Sequence, residues 1–431
     1  MKKPYTHSTK WITGSLCAAL MLGGCGMDSG RDKQYAVEMM DSSVDQAAHQ
    51  PSDLDPAFAE DQLAFAFDLY RELQPHKDNP QDNDTISPVS IATALSMTMN
   101  GAATDTLTEM EQALHSTDRT AEARNLGYEV LADLLTHSGK GAQVSLANSL
   151  WMREPLQFKD DFLTKNQSHY NTEMTSLNFA DDDATKRINS WVREQTAGKI
   201  QQMFEHPIDD ETILLLLNTV YFKGTWQQEF KPESTRTGSF TTAAGQQQDV
   251  SMMHNGGYFS YVQADGMQMI RLPYKDSGLG MIVILPDEQL TLDALLGKLS
   301  PEQWQTWKAG LDSRQGHIGL PKFKLESQYV LNDTLQALGM RQAFDVGQAD
   351  FTPMIELEEN VFIGEVKHKT FIEVDEKGTE AAAATSVGME AGSAQPEDPF
   401  DMVVDRPFFF AIEDERTSAL LFMGSVRQIP E

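Results

Sequence analysis

The sequence predicts an α+β fold, or a large mixed β-sheet backed by helices, because helical patterns come first and strand patterns dominate later. The chain has 431 residues, 40% of them hydrophobic, which is enough to bury a large core. Residues 213–217 and 281–286 form short, continuous apolar runs of the kind found in buried strands. No internal repeat or obvious linker divides residues 57–431, so we expect one domain there.

Helical patterns occupy residues 57–120, and Ser87-Pro88 marks the start of a second helix there. Residues 121–205 mix helices with a short strand near 144–152, and strands dominate from residue 212 onward. The apolar face of the first helix is supplied by Phe58, Leu63, Phe65, Phe67, Leu69 and Tyr70.

The charge of the chain excludes some classes of partner. Lys plus Arg number 34 and Asp plus Glu number 64, so the net charge is −30. Such an acidic surface repels phosphate backbones, so we expect no nucleic-acid partner, and a heparin-like polyanion is disfavoured for the same reason. Cys17 and Cys25 are the only cysteines, so the body of the chain has no disulfide framework and no cysteine zinc site.

The N-terminus has the pattern of an export signal. A basic stretch with Lys2, Lys3 and Lys10 precedes residues 11–24, which are uncharged and mostly apolar. This stretch is shorter than the roughly 20 residues that a membrane-spanning helix needs. Residues 1–24 are therefore predicted to be a signal peptide.

The end of this signal, Leu22-Gly23-Gly24-Cys25, resembles the lipobox of bacterial lipoproteins. The resemblance implies cleavage before Cys25 and acylation of its thiol with palmitate-type chains, several of which anchor a protein firmly. An ordinary signal peptide that happens to contain this cysteine is the alternative. Gly26, where an Asp would indicate retention in the inner membrane, favours the outer membrane. Residues 25–56 are polar and acidic without lasting periodicity, and are interpreted as a lipidated flexible tether.

Motifs of the common enzyme classes are absent from the sequence. It contains no G-x-S-x-G, no H-E-x-x-H and no Gly-rich phosphate loop. After acylation of Cys25 no cysteine remains as a nucleophile. We therefore expect no active site, no cofactor and no metal site.

Short segments spread over residues 57–431 match one protein family in order. They read FAFDLY at 65–70, SPVSI at 87–91, GAA at 101–103, INSWV at 188–192, TAGKI at 196–200, LNTVYFKGTW at 217–226, LPY at 272–274, LPK at 320–322, HK at 368–369, RPFFF at 406–410 and LFMG at 421–424. Each segment alone is weak, but the ordered set is highly specific. In these segments the chain resembles the serpins, suicide inhibitors of proteases.

The resemblance implies a serpin-like fold with an exposed reactive-centre loop at about residues 376–405. It also implies two polar regions of the main sheet, each with a plain structural alternative. The shutter, beneath the middle of the sheet, matches Ser87, Ser90, Asn218 and His368, which can equally be satisfied buried polar groups. The breach, where the loop first enters, matches Trp226, Lys322 and Glu376, in which Lys322 with Glu376 can equally be a simple ion pair.

The hinge of the loop matches residues 376–387. Its members are Glu376, Gly378, Thr379, Glu380, Ala381, Ala382, Ala383, Ala384 and Thr385. By composition alone this Ala-rich segment favours a short surface helix. As a strand, however, it places only small or apolar side chains on the face of Thr379, and no proline precedes Pro396 to bar pairing on both sides. Thr379 is the first residue expected to enter the sheet, with its side chain facing inward.

In the family a protease cleaves the exposed loop and is trapped as an acyl-enzyme while the loop inserts into the sheet. Counting from the hinge glutamate places the reactive bond at Gly392–Ser393, within a window that also includes Met389, Glu390, Ala391 and Ala394. These residues include no Arg or Lys to enter a trypsin-like pocket. We therefore expect elastase-like or subtilisin-like serine proteases, or a cysteine protease of similar preference, as covalent partners.

Two other functions stay open from the sequence. The first is a non-inhibitory serpin that acts as a carrier or chaperone, and the second is a lipoprotein that merely binds a host or envelope partner. In each case we expect an exported monomer, anchored by lipid to the bacterial envelope and facing the periplasm or the cell surface.

Overall fold

The computed structural model describes residues 47–430 with the exception of 78, 210, 359 and 380–398. The predicted signal peptide, the lipidated Cys25, most of the tether, the hinge beyond Thr379 and the reactive bond at Gly392–Ser393 lie outside the described residues.

Nine α-helices occur in the described part of the chain, and several begin at a side chain that accepts a hydrogen bond from the first turn. Ser87, Thr120 and Ser300 cap α2, α4 and α8 in this way, which satisfies backbone N–H groups that have no partner inside the helix. The helices are α1 (Pro56–Leu73), α2 (Pro88–Met99), α3 (Thr104–Ala113), α4 (Ala121–Thr136), α5 (Asp160–Tyr170), α6 (Asp182–Gln195), α7 (Leu292–Leu296), α8 (Pro301–Ala309) and α9 (Asn332–Ala337).

Fifteen strands occur in the same described ranges, and most of them follow residue 212 as expected. They are β1 (Asp84–Ile86), β2 (Ala142–Arg153), β3 (Glu173–Leu177), β4 (Leu214–Thr225), β5 (Arg236–Thr241), β6 (Gln247–Ala264), β7 (Met267–Pro273), β8 (Leu279–Pro286), β9 (Asp312–Pro321), β10 (Phe323–Val330), β11 (Lys367–Val374), β12 (Gly378–Thr379), β13 (Phe400–Val403), β14 (Phe408–Asp414) and β15 (Ala419–Val426).

Nine of the described strands form a sheet that holds the centre of the core. Its order is β1-β15-β14-β8-β7-β6-β9-β13, and β5 pairs with β6. Every residue of β8, β14 and β15 is buried, and these strands are apolar along most of their length rather than alternating. The prediction of a buried strand at residues 281–286 is therefore confirmed.

The other six described strands form a second sheet, which carries the segments that match the hinge. Its order is β10-β11-β12-β4-β2-β3, and it is mixed because β3 runs parallel to β2 while the other pairs are antiparallel. Since β4 and β11 are both antiparallel to β12, they run parallel to each other. In the described part of the chain they are joined only through the two residues of β12, so the middle of this sheet is divided there along most of its length.

Two sequence expectations about the strands differ from the structure. The helical region 57–120 also contains strand β1, whose three residues were too few to indicate it. In the run 213–217 only Leu217 is buried, and the other four residues are half-buried. The physical reason is the position of β4, which pairs along its length with β2 but on its other side only with β12 among the described strands.

The end of the predicted tether lies on the domain. The backbone N–H and ring Nδ1 of His49 both contact Asp133 Oδ2, at 2.8 and 3.0 Å. A short 3₁₀ helix follows at Pro51–Asp53, and Leu54 is buried in the main core. The interpretation of residues 47–56 as part of a flexible tether is therefore wrong. None of the helices in the described ranges has the length and hydrophobicity that a membrane span requires.

Candidate functional site

The hinge begins as a short strand inside the six-stranded sheet. Thr379 pairs with Gly224 of β4 on one side and with Val374 of β11 on the other. Its side chain is 2% exposed, and its hydroxyl lies 2.6 Å from the hydroxyl of Tyr274. The inward orientation expected for Thr379 is therefore present, and pairing with β4 begins one residue earlier, at Gly378 opposite Thr225.

Gly378 is required at the start of this strand. Its φ of +156° is one that L side chains rarely adopt. A Cβ atom here would lie 1.9 Å from the carbonyl oxygen of Gly224, which is far inside van der Waals contact. The absence of a side chain thus lets β12 approach β4 closely enough to pair.

Trp226 closes the end of the sheet where β12 enters. Its ring is buried and stacks on Tyr274, with centroids 4.7 Å apart and planes 11° apart. The indole N–H donates to the carbonyl of Asp375 at 3.0 Å, and the Trp226 backbone N–H donates to the carbonyl of Lys377 at 2.8 Å. Trp226 therefore holds the turn that leads into β12.

Glu376 is fixed on two sides at the same end of the sheet. One carboxylate oxygen lies 2.9 Å from Lys322 Nζ, and the other accepts the Thr235 hydroxyl at 2.9 Å. Burial opposes ionisation of Glu376, but these hydrogen bonds outweigh it and hold the pKa of its carboxyl below the ordinary value. Lys322 is 40% exposed, so the pair by itself contributes little to stability and serves mainly to position the turn.

The four residues that match the shutter form one hydrogen-bonded chain beneath the sheet. The Ser87 backbone N–H donates to His368 Nε2 at 3.0 Å, and Ser87 Oγ accepts the Ser90 backbone N–H. The Ser90 hydroxyl donates to Asn218 Oδ1. Ser87 and Ser90 lie at the start of α2, so this chain links that helix to both β11 and β4, the two strands on either side of β12.

His368 is held neutral in this chain. It is almost fully buried, and burial lowers its pKa to about 3. Because Nε2 accepts the Ser87 N–H, the proton of the neutral ring lies on Nδ1. Protonation of Nε2 would remove the acceptor, so this chain of hydrogen bonds exists only while His368 is uncharged.

Sequence reasoning missed three residues that complete the shutter and the breach. Asn148 on β2 accepts from Asn218 and donates to the carbonyl of Tyr170 at 2.7 Å, which extends the shutter to a third strand. Tyr274 and Thr235 complete the breach. Tyr274 lies in the matched segment 272–274, which was the one available signal, whereas nothing around Asn148 or Thr235 indicated their roles.

The far end of the reactive-centre loop joins the other sheet. Phe400 begins β13, which runs parallel to β9, and its ring stacks on Tyr261 at 3.9 Å with a 5° angle between planes. Gly316 lies directly beneath this ring, where a Cβ atom would come within 2.2 Å of it. The described ends of the loop, at Thr379 and Phe400, are thus each held in a sheet. Glu380, Ala381, Ala382, Ala383, Ala384, Thr385 and the reactive bond lie outside the described residues.

No group of three or more His, Cys, Asp or Glu side chains in the described ranges is arranged to hold a metal ion.

Comparisons with known proteins agree with this arrangement. The family model described as serpin (serine protease inhibitor) matches residues 60–429. The leukocyte elastase inhibitor of Bos taurus is 36% identical over 371 residues, covering 84% of this chain and 96% of that protein.

Solved structures agree as well. The thermophilic serpin tengpin in its native state has a TM-score of 0.80 and 30% identity, covering 89% of this chain and 100% of the tengpin chain. Thyroxine-binding globulin in complex with thyroxine has a TM-score of 0.77 and 28% identity, covering 87% of this chain and 100% of that chain. The predicted α+β serpin-like fold is therefore confirmed, and the chain belongs to the serpin family as a protease inhibitor rather than an enzyme.

Proposed function

We propose that this serpin inhibits its target proteases irreversibly, by inserting the cleaved reactive-centre loop between β4 and β11. The observation that carries the proposal is the pairing of Thr379 with both of these strands. β4 and β11 continue beyond β12 for the rest of their length, with no strand between them among the described residues. Backbone groups along the facing edges of β4 and β11 can pair with a strand that continues from Thr379.

Under this proposal the inserted loop would follow the register of β12. Ala381 would then lie between Phe222 and Ile372. Ala383 would follow between Val220 and Thr370, and Thr385 between Asn218 and His368. The residues that alternate with these would face the opposite side of the sheet.

This register fits the residues of β4 and β11 between which the loop would insert. Ala381 would lie beside Phe222 and Ile372, both buried, where a methyl group can enter without displacing the larger side chains. Thr385 would arrive between Asn218 and His368, the two residues that connect the shutter to the flanking strands. A hydroxyl can exchange hydrogen bonds with such groups, so the polar shutter gives a way for the sheet to open and close around the loop.

The chemical step is supplied by the target protease. Its serine Oγ attacks the carbonyl carbon of Gly392, the Gly392–Ser393 C–N bond breaks, and an ester joins Gly392 to Oγ. The serine proton passes through the protease histidine to the departing amine of Ser393. Insertion then carries the ester-linked protease along the sheet. The 16 residue steps from Glu376 to Gly392 span about 53 Å as a strand.

The residues around the proposed reactive bond favour one class of target protease. Ala391 and Gly392 are small and Met389 is apolar, which fits a shallow or broad specificity pocket better than one that carries a carboxylate. The leukocyte elastase inhibitors, named for their target, are relatives at 33–36% identity. We therefore assign elastase-like or subtilisin-like serine proteases, or a cysteine protease of similar preference, as targets.

The test is a panel of proteases that includes elastase, subtilisin and trypsin. With elastase or subtilisin we expect a complex that resists denaturing electrophoresis, and mass spectrometry should find a released C-terminal fragment that begins at Ser393. A fragment that begins outside residues 390–395, or rapid inhibition of trypsin without inhibition of elastase, would contradict the assignment of the loop.

A second candidate function is ligand binding without inhibition. It is favoured by the structural similarity to thyroxine-binding globulin, which that structure shows bound to thyroxine. The same panel separates the two functions, because a non-inhibitory serpin is cleaved in the loop without forming a covalent complex with any protease.

The location that best fits the N-terminal sequence is the bacterial envelope, reached through export and acylation of Cys25 as a monomeric outer-membrane lipoprotein. The support is the Leu22-Gly23-Gly24-Cys25 segment. Cys25→Ser should release a soluble protein or leave an unprocessed precursor, which membrane fractionation and the mass of the N-terminus will distinguish. A processed Cys25→Ser protein that stays with the membrane as the wild type does would contradict acylation.

A further inference from the structure

Two histidines lie side by side in the nine-stranded sheet, away from the groups described above. His254 on β6 and His317 on β9 stack with ring centroids 5.1 Å apart and planes 19° apart. His254 Nδ1 lies 3.2 Å from His317 Nε2. The residue directly opposite His254 on β9 is Gly319, where a Cβ atom would lie 3.3 Å from the His254 ring, so the missing side chain leaves that ring room to lean toward His317. Both rings are half-buried, so the pair is open to solvent on one side.

The separation of the two nitrogens matches a chelating pair. A tetrahedral Zn²⁺ lies about 2.0–2.1 Å from each imidazole nitrogen, which puts two such nitrogens about 3.3 Å apart. The observed 3.2 Å between His254 Nδ1 and His317 Nε2 is close to this value. A metal ion can therefore replace the hydrogen bond between the rings after small side-chain rotations, without movement of either strand.

A carboxylate orients the second ring. Asp401 Oδ1 on β13 lies 2.8 Å from His317 Nδ1, so that nitrogen carries the proton and Nε2 presents its lone pair to His254. Histidines that bind metals usually donate their other ring N–H to a carboxylate or carbonyl in this way. His169, which contacts Glu129 at 2.7 Å, forms a similar His–carboxylate pair on the helices and serves as a matched comparison.

We propose that His254 and His317 bind a divalent transition-metal ion such as Zn²⁺, Cu²⁺ or Ni²⁺, with Asp401 as the outer carboxylate that orients His317. Imidazole nitrogen suits these ions, whereas Mg²⁺ and Ca²⁺ prefer oxygen ligands. Water or a group from another molecule completes the coordination. Because Asp401 lies on β13, the strand formed by the far end of the reactive-centre loop, the bound metal links β6 and β9 to this end of the loop.

The test measures Zn²⁺ binding to the full-length protein by calorimetry. The variant with both His254→Ala and His317→Ala should lose this binding, and Asp401→Asn should weaken it about 10–100-fold, as changes in outer-shell groups do. His169→Ala should bind Zn²⁺ as the wild type does. Any Zn²⁺ binding by the N-terminal cysteines is the same in the wild type and the three variants, so it does not affect the difference between them.

A second readout uses Cu²⁺ as the probe. The electron paramagnetic resonance spectrum of the wild type should show coupling to two imidazole nitrogens, and either single His→Ala variant should show at most one at this site. Equal Zn²⁺ binding by wild type and double variant, or a wild-type Cu²⁺ spectrum without paired nitrogens, would overturn the proposal. Neither readout depends on protease inhibition, so the outcome is independent of the proposed function.

Discussion

His368 connects pH to the strength of the shutter at the scale of a single residue. Its ring is neutral in the folded protein, with a pKa lowered by burial to about 3, and it accepts the Ser87 N–H at 3.0 Å. In the unfolded chain the same ring titrates near 6.5. Between these values the unfolded chain binds one proton more than the folded protein, so the free energy of unfolding falls as pH falls through this range.

Replacing His368 with Gln should therefore reduce acid sensitivity. The Gln side chain offers an oxygen to the Ser87 N–H but does not titrate. The free energy of unfolding, measured in urea at pH 7.5, 5.5 and 4.5, should fall with acid in the wild type by an amount on the order of several kcal/mol, and fall less in His368→Gln. His115 and the other histidines are common to both proteins, so an identical acid dependence would show that folding does not lower the pKa of His368.

The sequence was informative about individual residues where they lie in recognisable segments, and uninformative about the contacts between them. Thr379, Trp226 and Glu376 could all be assigned from short matches. Asn148 could not, because an asparagine on a strand becomes part of the shutter only through pairing with a strand 70 residues away. The same holds for the His254–His317 pair, whose members are 63 residues apart.

At the scale of an element, β12 is the strand on which the proposed mechanism depends. Its two residues connect β4 to β11, and the Thr379 side chain has almost no exposed surface. Composition alone favoured a helix in this segment; its alanines lie outside the described residues, and Gly378 and Thr379 before them form a strand. Backbone partners on both sides outweigh intrinsic helix propensity, which is at most about 1 kcal/mol per residue for residues other than proline.

Thr379→Arg tests this element. A guanidinium at this inward position would have to be buried without a partner, which costs several kcal/mol and should slow insertion below the rate of deacylation. The variant should be cleaved by the target protease without a covalent complex on denaturing electrophoresis. Thr379→Ser, which keeps the hydroxyl near Tyr274, is the matched control and should inhibit as the wild type does. Full inhibition by Thr379→Arg would contradict insertion.

At the scale of the whole molecule, the chain order of helices and strands was enough to predict the α+β class but not the division into two sheets. Strand pairing between distant segments, such as β1 with β15, has no local signal in the sequence. The resemblance to serpins supplied the expectation of a large central sheet. It did not indicate that residues 47–56 pack on the domain, because their anchoring rests on single contacts such as His49 with Asp133.

The divided six-stranded sheet has a consequence for the stability of the whole protein. The facing edges of β4 and β11 gain a full set of backbone hydrogen bonds when a longer strand lies between them. Under the proposed mechanism the intact protein is then a kinetically trapped state, and the loop-inserted form has the lower free energy.

The most direct test is the thermal unfolding midpoint before and after the loop is cut between Met389 and Ala394 by a protease that is not trapped. We expect a rise of tens of degrees, far above the few degrees that a single contact supplies, because the freed loop completes the sheet. Thr379→Arg cut at the same place should show a much smaller rise. An unchanged midpoint in the cut wild-type protein would contradict insertion and favour the non-inhibitory function.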